Sequence, residues 1–136
     1  MTIYEQKLRE CHHAMECAID EPLSAETLEL RYKLLDEELG ELKTEINTLC
    51  QELRTTGKTS TTTRARMLKE LSDLQYVLSG MAVSFNLPLE EAFNRVHTSN
   101  MSKLVNGKPL KREDGKFLKG PNYQPPHLDD LAERIK

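Results

Sequence analysis

Two pairs of acidic residues with the same spacing are the part of this sequence best suited to chemistry. Glu38 and Glu41 are three residues apart, and Glu70 and Asp73 repeat that spacing after 28 intervening residues. Residues three apart on a helix lie on one face, so each pair can approach a single cation. Carboxylate oxygens without His or Cys suit Mg²⁺, with Mn²⁺ as a substitute. The spacing predicts a metal site with these four residues as ligands.

An ordinary solvated helix face is the alternative explanation, because acids three apart are common on exposed helices. Each of the four acids, however, directly precedes an apolar residue of a regular stripe, as Glu38 precedes Leu39 and Glu70 precedes Leu71. At about 100° per residue, this position lies at the edge of the stripe. Carboxylates gathered there repel one another unless a divalent cation neutralises them. Both interpretations stay open at this point.

The elements that must position these acids are two long helices. Apolar residues recur at alternating steps of four and three from residue 25 to about 53 and again from 64 to 85. That spacing predicts amphipathic helices with a coiled-coil-like seam. Further helices are predicted over residues 2–18 and 89–104, with a short one over 128–135. No segment alternates as a strand does, so we expect an all-α helical bundle with an extended, basic C-terminal tail at 107–127.

Length and composition restrict the class of protein. The chain has 136 residues, and we expect them to form one domain over 1–136. Aromatic residues make up 5% and Trp is absent, so the core is small and a homodimer or homotetramer is expected. The sequence has no apolar run long enough to cross a membrane and no signal-peptide core, so we expect no membrane contact. Its three cysteines are an odd number without the spacing of a disulfide framework, which suits a reducing compartment. We therefore expect a cytoplasmic protein. The net charge of -3 argues against nucleic acid as a partner.

A family resemblance rests on segments spread along most of the chain. The Glu38-x2-Glu41 and Glu70-x2-Asp73 pairs resemble the metal signature of the all-α nucleoside triphosphate pyrophosphohydrolases, which include MazG-like proteins, dimeric dUTPases and phosphoribosyl-ATP pyrophosphohydrolase. LLDEELGELKTEI and ELSDLQYVLSG are similar to the second and third helices of that superfamily. VHTSNMSK and DGKFLKGPNYQPP resemble the tail of its dUTPase-like branch. LRECHHAM resembles the first-helix segment, although Cys11 and Met15 stand where aromatic residues are usual.

The resemblance implies a four-helix MazG-like bundle that hydrolyses a nucleoside triphosphate to the monophosphate and pyrophosphate with Mg²⁺. A deoxynucleotide is the expected substrate: dGTP, dUTP or dCTP. Glu37 is the candidate general base, which orients the attacking water. The candidate substrate-binding residues are His12, Tyr76, Asn100, Lys103, Lys119, Asn122 and Tyr123.

Each of these assignments has a plainer alternative. Glu37 can be a surface glutamate, and the lysines of the tail can be solvated. Gly80, two turns after Asp73, either leaves space for a base or permits close helix packing. The alternative for the whole chain is a non-catalytic helical module that uses its apolar seams for oligomerisation or interaction.

Overall fold

Five helices make up the regular structure of the protein. The computed structural model describes all 136 residues, and its helices are α1 (Ile3–Ala14), α2 (Ala25–Thr56), α3 (Thr61–Ser84), α4 (Leu89–Met101) and α5 (Asp129–Ala132). No strand forms; two isolated bridges pair Val105 with Lys108 and Lys111 with Phe117. The all-α prediction is therefore confirmed. No helix has both the length and the apolarity required to cross a membrane.

The helix ends follow local capping rather than the apolar pattern alone. Helix α1 begins with a capping box, in which Thr2 accepts from the Glu5 N–H while the Glu5 side chain accepts from the Thr2 N–H. It was predicted to run to residue 18 but ends at Ala14, because the chain turns through Glu16 at a left-handed φ of 56°. Helix α4 was predicted to reach 104 and ends at Met101.

A four-residue connection joins α2 to α3, and both of its ends are capped. Gly57 closes α2 in the left-handed region at φ 72°, where its N–H donates to the Leu53 carbonyl. Ser60 then caps α3 by accepting from the Thr63 N–H. Helix α3 therefore begins at Thr61, three residues before the predicted start at 64. The Thr63 hydroxyl donates a hydrogen bond of 2.6 Å to Glu52 Oε1 and so links α3 to α2.

The chain divides into two compact units, Met1–Leu87 with Lys136 and Pro88–Ile135. In the first unit, α3 is the central helix and packs against both α1 and α2. Its core includes Leu8 of α1, Leu42 and Leu49 of α2, and a cluster at the end of α3 formed by Ala82, Val83 and Phe85. These contacts arrange α2 and α3 as an antiparallel hairpin.

Only part of the predicted seam of α2 is covered. Leu42 and Leu49 are buried, but four seam residues seven apart remain exposed: Tyr32, Leu39, Ile46 and Leu53. On α3, Leu71 and Leu78 are also exposed. An apolar stripe with 4/3 spacing is wider than one neighbouring helix can cover. The first unit therefore presents an uncovered apolar surface, called here the α2 stripe for its four residues on α2.

The second unit contains α4, a looped segment and α5. Arg95 of α4 donates to Asp130 of α5 and to the His127 carbonyl, and the Ser99 hydroxyl donates to the Gln124 carbonyl. Leu131 is buried, but Phe93 of α4 is 69% exposed. Within this unit, α4 is therefore held by hydrogen bonds to residues after 123 as well as by apolar burial.

Candidate functional site

The four predicted metal ligands come together on the α2–α3 hairpin. One carboxylate oxygen from each of Glu38, Glu41, Glu70 and Asp73 lies within 4.8 Å of the others. Glu41 is exposed and the other three are partly buried. The pairs meet because an antiparallel hairpin aligns one turn of α2 with one turn of α3. Four oxygens at this separation form a group that one or more small cations can bridge.

Two oxygens of this group lack any partner within the protein. Glu38 Oε2 and Glu70 Oε2 are buried and accept no hydrogen bond. Buried polar atoms are normally satisfied, so an unsatisfied carboxylate oxygen indicates a missing donor or ion. Burial raises the pKa of Glu70, and the neighbouring Glu41 carboxyl raises it further, while Lys69 partly opposes both effects. The local field therefore disfavours a full set of negative charges without a cation.

Lys69 is a residue of this site that the sequence reasoning missed. Its Nζ lies 2.7 Å from Asp73 Oδ2 and 3.5 Å from Glu70 Oε1. The Asp73 carboxylate raises the pKa of Lys69. The signal was present as an i,i+4 Lys–Asp pair, which typically brings opposite charges together on a helix. The ammonium supplies one positive charge at the edge of the carboxylates, where a bound cation would compete with it.

The candidate general base lies outside this group. Glu37 is on α2 next to Glu38, but its side chain is exposed and is not one of the four gathered carboxylates. This agrees with the helix geometry, which turns neighbouring residues about 100° apart.

A cavity of about 560 Å³ lies between α1 and α3. Apolar side chains form much of its lining, including Leu8, Leu71, Leu74 and Leu78, and the predicted substrate residue Tyr76 is part of it. The Cys11 thiol beside Tyr76, and then partial burial, raise the pKa of the Tyr76 phenol. The volume falls in the range typical of small-molecule sites.

His12 is buried rather than exposed in this cavity. It is 3% exposed, and its Nδ1 lies 2.8 Å from the Ala18 carbonyl oxygen. Burial lowers the pKa of His12, and the nearby Arg31 guanidinium lowers it as well. Arg31, which the sequence reasoning did not single out, is itself only 6% exposed. Both side chains lie against Gly80 of α3, where an added Cβ would be 3.0 Å from Arg31 Nη1 and 3.2 Å from His12 Nε2.

The remaining predicted substrate residues belong to the second unit, where two separate stretches of sequence meet. The Gly120 N–H donates to the Lys103 carbonyl at 3.0 Å, and the Tyr123 N–H donates to the Gly120 carbonyl. Lys119 Nζ lies 4.8 Å from the centre of the Tyr123 ring. The backbone of SNMSK therefore lies against that of KGPNY, which brings together the stretches that contain Asn100, Lys103, Lys119, Asn122 and Tyr123.

The sequence matches a known protein family over more than half of its length. The family of phosphoribosyl-ATP pyrophosphohydrolases matches residues 5–100, which is 96 of the 136 residues. The chain belongs to this family, within the MazG-like all-α superfamily, and is a nucleotide pyrophosphohydrolase. The matched range contains all four carboxylates. A comparison with curated proteins found no match.

Proposed function

We propose that this protein hydrolyses a deoxynucleoside triphosphate to the monophosphate and pyrophosphate in the presence of Mg²⁺. Among the superfamily we assign it to the dUTPase-like branch, with dGTP, dUTP or dCTP as the substrate. The observation that carries the proposal is the group of four carboxylates within 4.8 Å, of which two have buried oxygens without a donor. The family match supports the proposal, because a pyrophosphohydrolase cleaves a phosphoric anhydride.

The residues present suit a hard divalent cation. Glu38, Glu41, Glu70 and Asp73 offer only oxygen donors, as Mg²⁺ prefers, and Mn²⁺ accepts the same set. Such an ion supplies charge neutralisation at phosphate oxygens and lowers the pKa of water. The unsatisfied oxygens of Glu38 and Glu70 are the natural ligand atoms, because binding there removes the energetic cost of leaving them unpaired.

The chain itself would orient the reactants. Glu37, directly before a metal ligand, would accept the proton of the water that attacks the α-phosphorus. His12 and Tyr76 would contact the nucleoside, next to the cavity between α1 and α3. The leaving pyrophosphate requires cationic and amide donors. Lys103 and Asn100, with Lys119, Asn122 and Tyr123, would supply them, and the whole of residues 1–136 would act as one domain.

We further propose that the active species is a cytoplasmic homodimer or homotetramer that binds neither nucleic acid nor membranes. The α2 stripe supports the association of chains, since its four residues expose 43–68% of their surface. Contiguous apolar surface of this kind favours association. Light scattering should give a mass of two or four chains, and Ile46→Glu should shift it toward one. A monomer that is fully active would contradict this part of the proposal.

The catalytic proposal is tested by two isosteric variants. Glu38→Gln and Asp73→Asn should each abolish Mg²⁺-dependent release of pyrophosphate from a panel of triphosphates, while circular dichroism stays helical. Glu45→Gln, seven residues from Glu38 on the same helix and outside the carboxylate group, is the matched control and should stay active. The rival non-catalytic module predicts no pyrophosphate from the wild type. Unchanged turnover in both site variants would overturn the proposed ligand set.

A further inference from the structure

Arg31 is a buried charge that nothing in the protein neutralises. The residue is 6% exposed, its Nε has no hydrogen-bond partner, and its guanidinium takes part in no ion pair. A charge removed from water is destabilising unless a partner compensates it. A guanidinium carries five N–H donors and no acceptor. A ligand that brings hydrogen-bond acceptors would therefore satisfy donors that the protein leaves unpaired.

His12 adds an acceptor beside these donors. Because the Ala18 carbonyl can only accept, the ring nitrogen 2.8 Å from it, Nδ1, carries the hydrogen. Burial lowers the pKa of His12 and so favours the neutral ring, in which Nε2 carries a lone pair that can accept a hydrogen bond. That Nε2 atom and Arg31 Nη1 both lie over Gly80, at 3.2 and 3.0 Å from the position of an added Cβ. A donor group and an acceptor atom are thus side by side.

Arg31 and His12 lie about two helical turns from the carboxylates, so a nucleotide with its phosphates at the carboxylates would reach them with its nucleoside. Arg31 precedes Glu38 by seven residues and Gly80 follows Asp73 by seven, which is about two helical turns or about 10 Å in each helix. Seven residues return to nearly the same helix face. The cavity between α1 and α3 includes Leu8 and Tyr76, one turn before His12 and Gly80 in their respective helices. His12, Arg31 and Gly80 do not line this cavity, but His12 and Gly80 lie one helical turn beyond its lining residues Leu8 and Tyr76.

We propose that Arg31 and His12 select nucleobases with a keto–imide edge, namely a carbonyl oxygen next to a ring N–H. Arg31 donates to the carbonyl oxygen, and His12 Nε2 accepts from the ring N–H. This inference rests on the proposed function and narrows its substrate class to triphosphates of guanine, uracil or thymine. It excludes dCTP, which the family resemblance had left open.

The chemical basis is that the amino bases present the reverse pattern. Adenine and cytosine place an amino donor where the keto bases have a carbonyl, and a ring acceptor where the keto bases have an N–H. Against Arg31 and His12, donor would face donor and lone pair would face lone pair. A site built to satisfy polar groups rejects a ligand that leaves them unpaired. We expect discrimination on the order of 10- to 100-fold in kcat/KM.

The first experiment compares kcat/KM for the pairs dGTP against dATP and dUTP against dCTP with the wild-type protein and Mg²⁺. We expect kcat/KM to be higher for dGTP than for dATP, and higher for dUTP than for dCTP. If no triphosphate yields pyrophosphate, the proposed function fails. If dATP or dCTP is hydrolysed as well as its counterpart, the function stands and this inference is overturned.

The second experiment removes the guanidinium. Arg31→Met should reduce both ratios by about 10-fold or more, and the ratio is independent of the folded fraction, because both substrates meet the same active molecules. Arg54→Met, at the exposed end of the same helix, is the matched control and should leave the ratios unchanged. Calorimetry with dGMP and dAMP should show the same preference without turnover. Unchanged ratios in Arg31→Met, or a loss of oligomer instead, would assign Arg31 to a structural or intersubunit role and refute the proposal.

Discussion

Glu38→Gln should make the metal-free protein more stable while it removes the response to metal. Two unit charges 4.8 Å apart repel by about 0.9 kcal/mol in water and about 3.5 kcal/mol at an effective dielectric constant of 20. The partly exposed cluster and the nearby Lys69 ammonium place the net effect toward the lower value. We therefore expect a gain of about 1 kcal/mol, or roughly 3 °C in melting temperature. Glutamine keeps the shape and removes only the charge.

The assay is thermal unfolding of wild type and variant with chelator and with Mg²⁺. An ion that binds only the folded state stabilises it by about 2.7 kcal/mol at 100 times its dissociation constant, so the wild type should gain several degrees. The variant should gain little from Mg²⁺. It should therefore have the higher melting temperature in chelator and the lower one in Mg²⁺. Glu45→Gln should follow the wild type. A Glu38→Gln protein that is less stable in chelator, or that keeps the full Mg²⁺ shift, would refute the reasoning.

Three further predictions concern other parts of the molecule. Burial lowers the pKa of His12 below its usual value of about 6.5, so the unfolded chain takes up this proton first as the pH falls. The melting temperature should therefore decrease below about pH 6.5 in the wild type and in His13→Asn. It should decrease less steeply in His12→Asn. Gly120→Ala should destabilise the protein by about 1–3 kcal/mol in urea titrations, because the new Cβ would lie 2.7 Å from the Lys103 carbonyl oxygen; a neutral result would contradict the close approach. Gly40→Ala should instead stabilise by up to about 1 kcal/mol, since nothing lies within 4 Å of its Cβ position and α2 gains a better helix former.

The carboxylate group could be predicted from the sequence because helix geometry is local. The spacing of Glu38 and Glu41 decides their common face, and the connection between α2 and α3 decides that Glu70 and Asp73 meet them. Lys69 was missed although its i,i+4 relation to Asp73 was visible, because exposed pairs of this kind are common and weak.

Tertiary contacts decided what the sequence left open. Nothing in the pattern around Arg31 distinguishes it from a solvated arginine, since its burial depends on the absence of a side chain at Gly80, far along the chain. The 4/3 spacing likewise predicts an apolar face, but it does not tell which half of that face α3 covers. The end of α1 depends on a left-handed residue, Glu16, that carries no glycine signal.

The central claim, attack of water on the α-phosphorus, is tested most directly by hydrolysis of the preferred triphosphate in ¹⁸O-enriched water with Mg²⁺. Mass spectrometry of the products should place the label in the nucleoside monophosphate and leave the pyrophosphate unlabelled. Label in the pyrophosphate would mean attack on the β-phosphorus, and release of orthophosphate would mean a different cleavage site. Either result would contradict the proposed function.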